Sequence, residues 1–192
     1  MKKIKYLIPL AFFCGAAAAA PVTYDIDPSH TYPSFEAPHM GISMWRGKFN
    51  GSSGKIVLDK AKGAGTVEVT VDASSIDFGH DQMNEHARGA DLFDVAKYPT
   101  AVYKGKLEGF VDGAPTKVVG ELTLHGVTKP LELKINSFKC IPHPLHKPRE
   151  LCGADALATF QRDAFGMDAG KDWGFTMDVT LRIQVEAVQQ AK

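Results

Sequence analysis

From Phe175 to Glu186 apolar and polar side chains alternate without a break. Phe175, Met177, Val179, Leu181, Ile183 and Val185 fall on one side, and Thr176, Asp178, Thr180, Arg182, Gln184 and Glu186 on the other. A period of two sustained this long specifies a strand with one buried and one solvated face. Eleven residues of strand rise about 35 Å, more than a small sandwich core needs, so the run favours a closed barrel.

The rest of the chain supports that reading. Val67, Val69 and Val71 alternate with Glu68, Thr70 and Asp72, and Leu131, Leu133 and Ile135 with Glu132, Lys134 and Asn136. Further strands are expected at 22–26, 32–37, 44–50, 55–59, 100–107 and 156–162, with turns at Asp112-Gly113 and His125-Gly126. One helical stretch, Asp81 to Ala90, interrupts them, and an irregular turn is expected over Asp91 to Ala96. No linker or internal repeat divides the chain. The expected fold is all-β, an extended antiparallel barrel with one short helical excursion. A barrel of about eight strands encloses either packed side chains or one ligand.

The first residues read differently. Lys2, Lys3 and Lys5 precede fifteen uncharged residues, Tyr6 to Ala20, that end in Ala18-Ala19-Ala20 before Pro21. That is the pattern of a cleaved secretory leader, so residues 1–20 are read as a signal peptide and 21–192 as one domain. Fifteen residues fall short of the roughly 20 that a membrane-spanning helix needs. Without the leader lysines, 19 basic residues face 22 acidic ones, a balance that excludes nucleic acid as a partner. The expected location is the periplasm or outside the cell. In an exported chain Cys140 and Cys152, with eleven residues between them, read as a disulfide; two buried free thiols are the alternative.

Catalytic patterns are missing. There is no HExxH motif, no G-x-S-x-G elbow and no glycine-rich phosphate loop. The seven histidines include the pair His143 and His146, but these sit among prolines in an irregular loop. No residue is assigned to catalysis, a metal or a cofactor, and the protein is read as non-enzymatic. Met40, Ile42, Met44 and Trp45 early, and Phe165, Met167 and Trp173 late, cluster outside the main alternating runs. Such groups suit an adaptable apolar cavity and an ordinary core alike.

Five blocks in order resemble the YceI-like family. They are Asp27-Pro28-Ser29-His30-Thr31 with His39-Met40-Gly41-Ile42-Ser43; His80-Asp81 with Glu85-His86-x-Arg88; Asp91-Leu92-Phe93-Asp94 with Lys97-Tyr98-Pro99; Leu124 to Pro130; and Arg162-Asp163-x-Phe165-Gly166. The resemblance implies a lipocalin-like barrel holding a long isoprenoid or similar lipid, a periplasmic or secreted location, often a dimer, and no established reaction. Pro33 departs from the family pattern and points to an edge or bulge.

On that footing the expected function is to carry or sequester a polyprenyl chain or isoprenoid quinone, bound as ligand. An envelope stress or interaction protein with a filled barrel, and a histidine-dependent metal enzyme, are the alternatives. Alternation selects Phe35, Val69, Val71, Leu122, Leu133, Phe175, Met177 and Val179 as lumen residues. Met40, Ile42, Trp45, Phe93, Phe165 and Trp173 are candidates for the mouth. His86, Arg88 and Arg162 are rim candidates by residue type, with a structural ion pair from Arg162 to Asp163 or Asp94 as the competing role.

Overall fold

The structure is a computed structural model that describes residues 20–191. The leader expected at residues 1–20 lies, apart from Ala20, outside the described residues. Eleven strands follow in chain order: β1 (Val22–Ile26), β2 (Tyr32–His39), β3 (Ser43–Phe49), β4 (Ser52–Asp59), β5 (Ala64–Asp72), β6 (Ile76–Asp77), β7 (Thr100–Glu108), β8 (Lys117–Leu124), β9 (Val127–Pro142), β10 (Glu150–Gln161) and β11 (Asp178–Gln189). Among the described residues a single α-helix, α1 (Asp81–Arg88), lies between β6 and β7.

All pairings are antiparallel. The order β1-β4-β5-β7-β8-β9-β10-β11 closes through β1–β11 into an eight-stranded barrel, and β2, β3 and β6 extend from β11. One edge of β11 therefore serves two partners. Its last residues, Ala187 to Gln189, pair with β1, and Thr180 to Gln184 pair with β2. Between them the chain makes a detour through Asp27-Pro28-Ser29-His30. The Asp27 carboxylate accepts from the Ser29 backbone N–H and hydroxyl and lies 2.8 Å from His30 Nδ1. Thr31, 1% exposed, then fills the gap in the ladder: its hydroxyl donates to the Glu186 carbonyl and accepts from the Glu186 N–H, both at 3.1 Å. The block singled out in the sequence is thus a structural switch point.

The two barrel ends differ. One carries the 40–42 tip, α1 and the turns after it, the His125-Gly126 turn and the 162–177 segment; we call it the helix end. The other carries the β4–β5, β7–β8 and β9–β10 connections. At the His125-Gly126 turn both residues have positive φ, 51° and 74°, as a two-residue hairpin requires.

The main core cluster lines the barrel body and includes Tyr24, Leu58, Tyr103, Leu122, Leu131 and Leu133. A second cluster at the helix end joins Phe35, Ile76, Ala87 and Val179, with Phe93, Phe160 and Leu181 packed against both. An eight-residue helix has little stability alone, and α1 is tethered. Asn84 Oδ1 accepts from Phe78 N–H, and Arg88 Nε donates to the Ser74 carbonyl at 2.8 Å.

The structure corrects several strand boundaries. The last strand begins at Asp178, so Phe175 and Met177 lie ahead of it in a turn where Phe175 N–H bonds the Gly170 carbonyl. β10 starts at Glu150 and β9 runs to Pro142, so both ends of the cysteine-bounded segment extend strands and residues 143–149 form the connection between them. On β9 the register shifts beside Asn136, an extra residue that switches parity, so that Phe138 and Cys140 join Leu131 and Leu133 on the inner face. Pro33 pairs with Ile183 on β11 but lies before the first β2–β3 pair, Ser34 with Lys48. Its missing N–H therefore falls where β2 has one neighbour, as expected.

Candidate functional site

The barrel interior is apolar and uneven. β8 and β9 present Leu122, Leu131 and Leu133, all buried. Small side chains lie beside them: Ala154, Ala156 and Ala158 succeed one another on β10, and Gly105 pairs with Gly120 across β7 and β8. A Cβ on Gly120 would stand 2.8 Å from the Tyr103 hydroxyl, so the glycine gives room for that ring. The hydroxyl donates to the Leu131 carbonyl at 2.8 Å, and burial pushes the phenol's pKa far up. Along β5, Val67, Val69 and Val71 face inward in rows with Gly105, Tyr103 and Ala101. None of the three valines is fully buried, so this stretch of apolar wall is only partly covered, although Val67 packs against the main core cluster.

At the helix end, aromatic rings run from the surface to the core. The His39 ring stacks on Trp45 with centroids 4.5 Å apart, and meets Phe175 edge-on at 4.8 Å. Trp45 contacts Phe78, Phe78 contacts Phe35, Phe35 contacts Phe49, and Phe49 contacts Phe93, at 5.4–6.1 Å between centroids. Phe160 and Phe165 form a further edge-to-face pair at 5.3 Å. His125 sits on the same end, its Nδ1 3.1 Å from the Phe165 carbonyl and its ring against Tyr98. Its Nε2 is buried with no partner among the described residues.

The opposite end is closed by a polar plug. Tyr24 and Leu58, each 2% exposed, seal the barrel beneath an outward-facing cleft of about 390 Å³. The Tyr24 hydroxyl donates to Glu150, which also pairs with Lys60 Nζ at 2.8 Å. Burial raises the Glu150 pKa, but the bonds from Lys60 and Tyr24 outweigh it and hold the group below the usual carboxylate range. Burial, with Glu150 beside it, drives the Tyr24 phenol far up. Cys140 and Cys152 face each other directly across β9 and β10, with Cα atoms 4.0 Å apart and sulfurs at bonding distance.

The residues chosen from sequence divide accordingly. Phe35, Leu122, Leu133, Met177 and Val179 are buried, and Val69 and Val71 line the inner wall. Phe175, expected in the lumen, belongs to the aromatic path at the helix end. Of the mouth candidates, Met40, Ile42 and Trp173 are exposed and Trp45 sits at the edge, while Phe165 is buried in the main core and Phe93 bridges the two clusters. The rim assignment needs the larger correction. Arg88 holds the Ser74 and Ile76 carbonyls and pairs with Glu85, and Arg162 donates to the Met167 and Ala169 carbonyls, both at 2.6 Å. Asp163, the expected partner of Arg162, pairs with Lys171. Both guanidinium groups are engaged by the fold itself, and His86 lies exposed on α1. Sequence reasoning missed Phe49, Phe78, Tyr103, Phe160 and the placement of His39. The Trp45-x-Gly47-x-Phe49 alternation was the available signal for Phe49.

The YceI-like domain model matches residues 24–187, from the plug tyrosine to the start of the β11–β1 pairing. This chain belongs to the YceI-like family. Curated relatives include a UPF0312 protein of Pseudomonas aeruginosa strain LESB58, 32% identical and covering 93% of this chain and 92% of its own length. Protein YceI of Escherichia coli O6:H1 strain CFT073 is also 32% identical, with 94% and 93% covered. Among solved structures, the Campylobacter jejuni YceI protein superposes with a TM-score of 0.66 at 24% identity, covering 81% of this chain and 90% of that one. BcnA of Burkholderia cenocepacia gives 0.64 at 22% identity, over 84% and 98%. A polyisoprenoid-binding domain from Saccharophagus degradans, implicated in plant cell wall breakdown, gives 0.62 at 16% identity, over 88% and 99%. At these identities the superpositions establish a shared barrel fold.

Proposed function

We propose that this protein is an exported, non-enzymatic carrier of a long-chain isoprenoid lipid, a polyprenyl chain or the tail of an isoprenoid quinone, held along the barrel axis. The observation that carries this reading is the partly uncovered valine wall of β5 inside a closed barrel. A barrel with one polar, plugged end and one aromatic-lined end accepts a linear apolar molecule from one direction. Burial contributes about 0.8 kcal/mol per methylene, so ten buried carbons give a gross gain of roughly 8 kcal/mol without polar contacts. The polyisoprenoid-binding description of the Saccharophagus degradans neighbour supports the same ligand class. In this reading residues 1–20 are removed on export to the periplasm, where Cys140 and Cys152 form a disulfide.

Mass spectrometry of an organic extract from natively purified protein tests the proposal. An isoprenoid should co-purify, or bind on addition, and Leu133→Trp or Val69→Trp should reduce its stoichiometry by filling the lumen. A protein that carries no lipid and takes none up would overturn the reading.

A further inference from the structure

The tip joining β2 to β3 has the wrong residues for an ordinary solvated turn. Met40 and Gly41 adopt positive φ, 53° and 71°, the same left-handed pair found at Asp112-Gly113 and His125-Gly126. The other two turns place a polar residue first, as the left-handed region prefers. Here the position belongs to methionine, 51% exposed, followed by Ile42 at 80%. The backbone cost is accepted to hold two apolar side chains in water. Trp173, 77% exposed, lies two residues from Phe175, whose ring touches His39 at the base of the same tip.

We propose that Met40, Ile42 and Trp173 form a docking edge that inserts into the surface of a neutral phospholipid bilayer. Three observations favour this occupant. The edge is continuous with the aromatic path, because His39 links Trp45 to Phe175 and Trp45 leads through Phe78 to Phe35. Methionine, isoleucine and an exposed tryptophan are side chains that enter the interface between headgroups and acyl chains. The nearby charge is not basic. Arg46 and Arg182 share Glu36 at 3.0 and 2.9 Å, and Lys171 pairs with Asp163 at 2.6 Å, while exposed Asp168 and Asp172 add acid. An anionic surface would gain little from this edge, so the apolar groups act on zwitterionic lipid. The inference rests on the carrier reading in one respect: docking there would let an insoluble chain pass from bilayer to barrel without crossing water.

Trp45 and Trp173, both at this end, are the chain's two tryptophans, so their emission reports on the edge directly. The test mixes purified protein with phosphatidylcholine–phosphatidylethanolamine vesicles lacking isoprenoid, followed by flotation and tryptophan fluorescence. Wild type should float with the vesicles and shift its emission to the blue, with little dependence on salt. Met40→Asp with Ile42→Asp should lower the bound fraction at least tenfold at unchanged thermal stability. Val111→Asp with Leu145→Asp, at the opposite end, should leave it within twofold. Wild type that stays unbound, equal loss in both double variants, or a patch variant that changes only the oligomeric state would overturn the proposal; the last outcome would make the edge an interface between two copies. Ligand content measured on isoprenoid delivered from detergent separates the two readings. Transfer between vesicles, normalised to what each protein takes up from detergent, should be at least tenfold slower for the patch variant. Vesicle binding without any isoprenoid uptake would sink the carrier function and leave the docking edge standing.

Discussion

Thr31→Val tests whether one hydroxyl joins the two pairings of β11. Valine keeps the shape of the side chain and removes only the oxygen. In the wild type that oxygen both donates to the Glu186 carbonyl and accepts from the Glu186 N–H, each at 3.1 Å. The carbonyl keeps a second donor, Asp27 N–H at 2.9 Å, so its loss is slight. The N–H loses its acceptor beside a side chain only 1% exposed. Leaving such a donor unpaired costs about 1–3 kcal/mol. Taking about 2 kcal/mol, the melting temperature of a domain this size should fall by roughly 4–8 °C. Thr31→Ser keeps the hydroxyl and loses only a methyl, so it should sit nearer the wild type. Urea denaturation followed by circular dichroism gives the answer, with a shifted midpoint at unchanged slope. If Thr31→Val unfolds within about 0.5 kcal/mol of wild type, or Thr31→Ser is the worse variant, the hydroxyl is not what spans the gap.

The same switch point should respond to pH. The Asp27 carboxyl is held low, first by the Ser29 hydroxyl and then by His30, and the bond to Asp27 raises His30. A raised histidine contributes below its unfolded value of about 6.5 and its contribution is lost as pH climbs through the folded value; a depressed aspartate contributes above about 3.9 and loses its share as pH falls. The turn should therefore be tightest between those limits. The His30 ring signal in NMR should titrate above about 6.5 and move back toward it in Asp27→Asn; an unmoved midpoint would refute the pairing. For the cysteines, peptide mapping without reduction should recover the segments containing Cys140 and Cys152 joined, and reduction should destabilise the fold by about 3 kcal/mol. Two titratable thiols in protein taken from an oxidising compartment would count against the bridge.

Alternation made the strands legible because each was half-buried, and most of the strand set and the closed barrel follow from it. It failed where a tertiary event changes the period. The extra residue at Asn136 switches parity halfway along β9, and nothing local distinguishes it from a strand end. Residues 150–155 hold glycine, alanine and two acids, weak strand formers that become strand because β9 and β11 pair with them on both sides. Phe175 and Met177 continue the period of β11 past its true start, where Gly170 and Gly174 in left-handed conformations have already bent the chain. The arginines show a different limit. A sequence gives the guanidinium but not its acceptors, and the carbonyls that engage Arg88 and Arg162 converge only when the connections at the helix end have folded. The lumen wall was readable from residue type and period. The aromatic path was not, because it gathers rings from β2, β3, the turn before α1 and the segment after it.

The contrast between the two ends leads to a prediction about dynamics. β9, β10 and β11 are the longest strands, with eleven pairs between β10 and β11, and the Tyr24–Glu150–Lys60 plug and the facing cysteines lie at their far end. The helix end depends on an eight-residue helix, single turns and arginine bonds to backbone carbonyls. Local opening is easiest where buried contacts and ladder bonds are fewest. Amides of α1 and of residues 162–177 should therefore exchange with deuterium well before those of β9–β11. If the barrel fills from the helix end, a bound isoprenoid should slow exchange there selectively, because a chain lying against Phe78, Phe35 and Phe160 adds the contacts that this end lacks. Native-state exchange read by mass spectrometry, with and without ligand, makes the comparison. Protection appearing first at the 60–63 and 143–149 connections would place entry at the plugged end and contradict the direction argued from the rings. Uniform protection along the barrel would mean that the ligand stabilises the whole fold and that the helix end has no special part in admitting it.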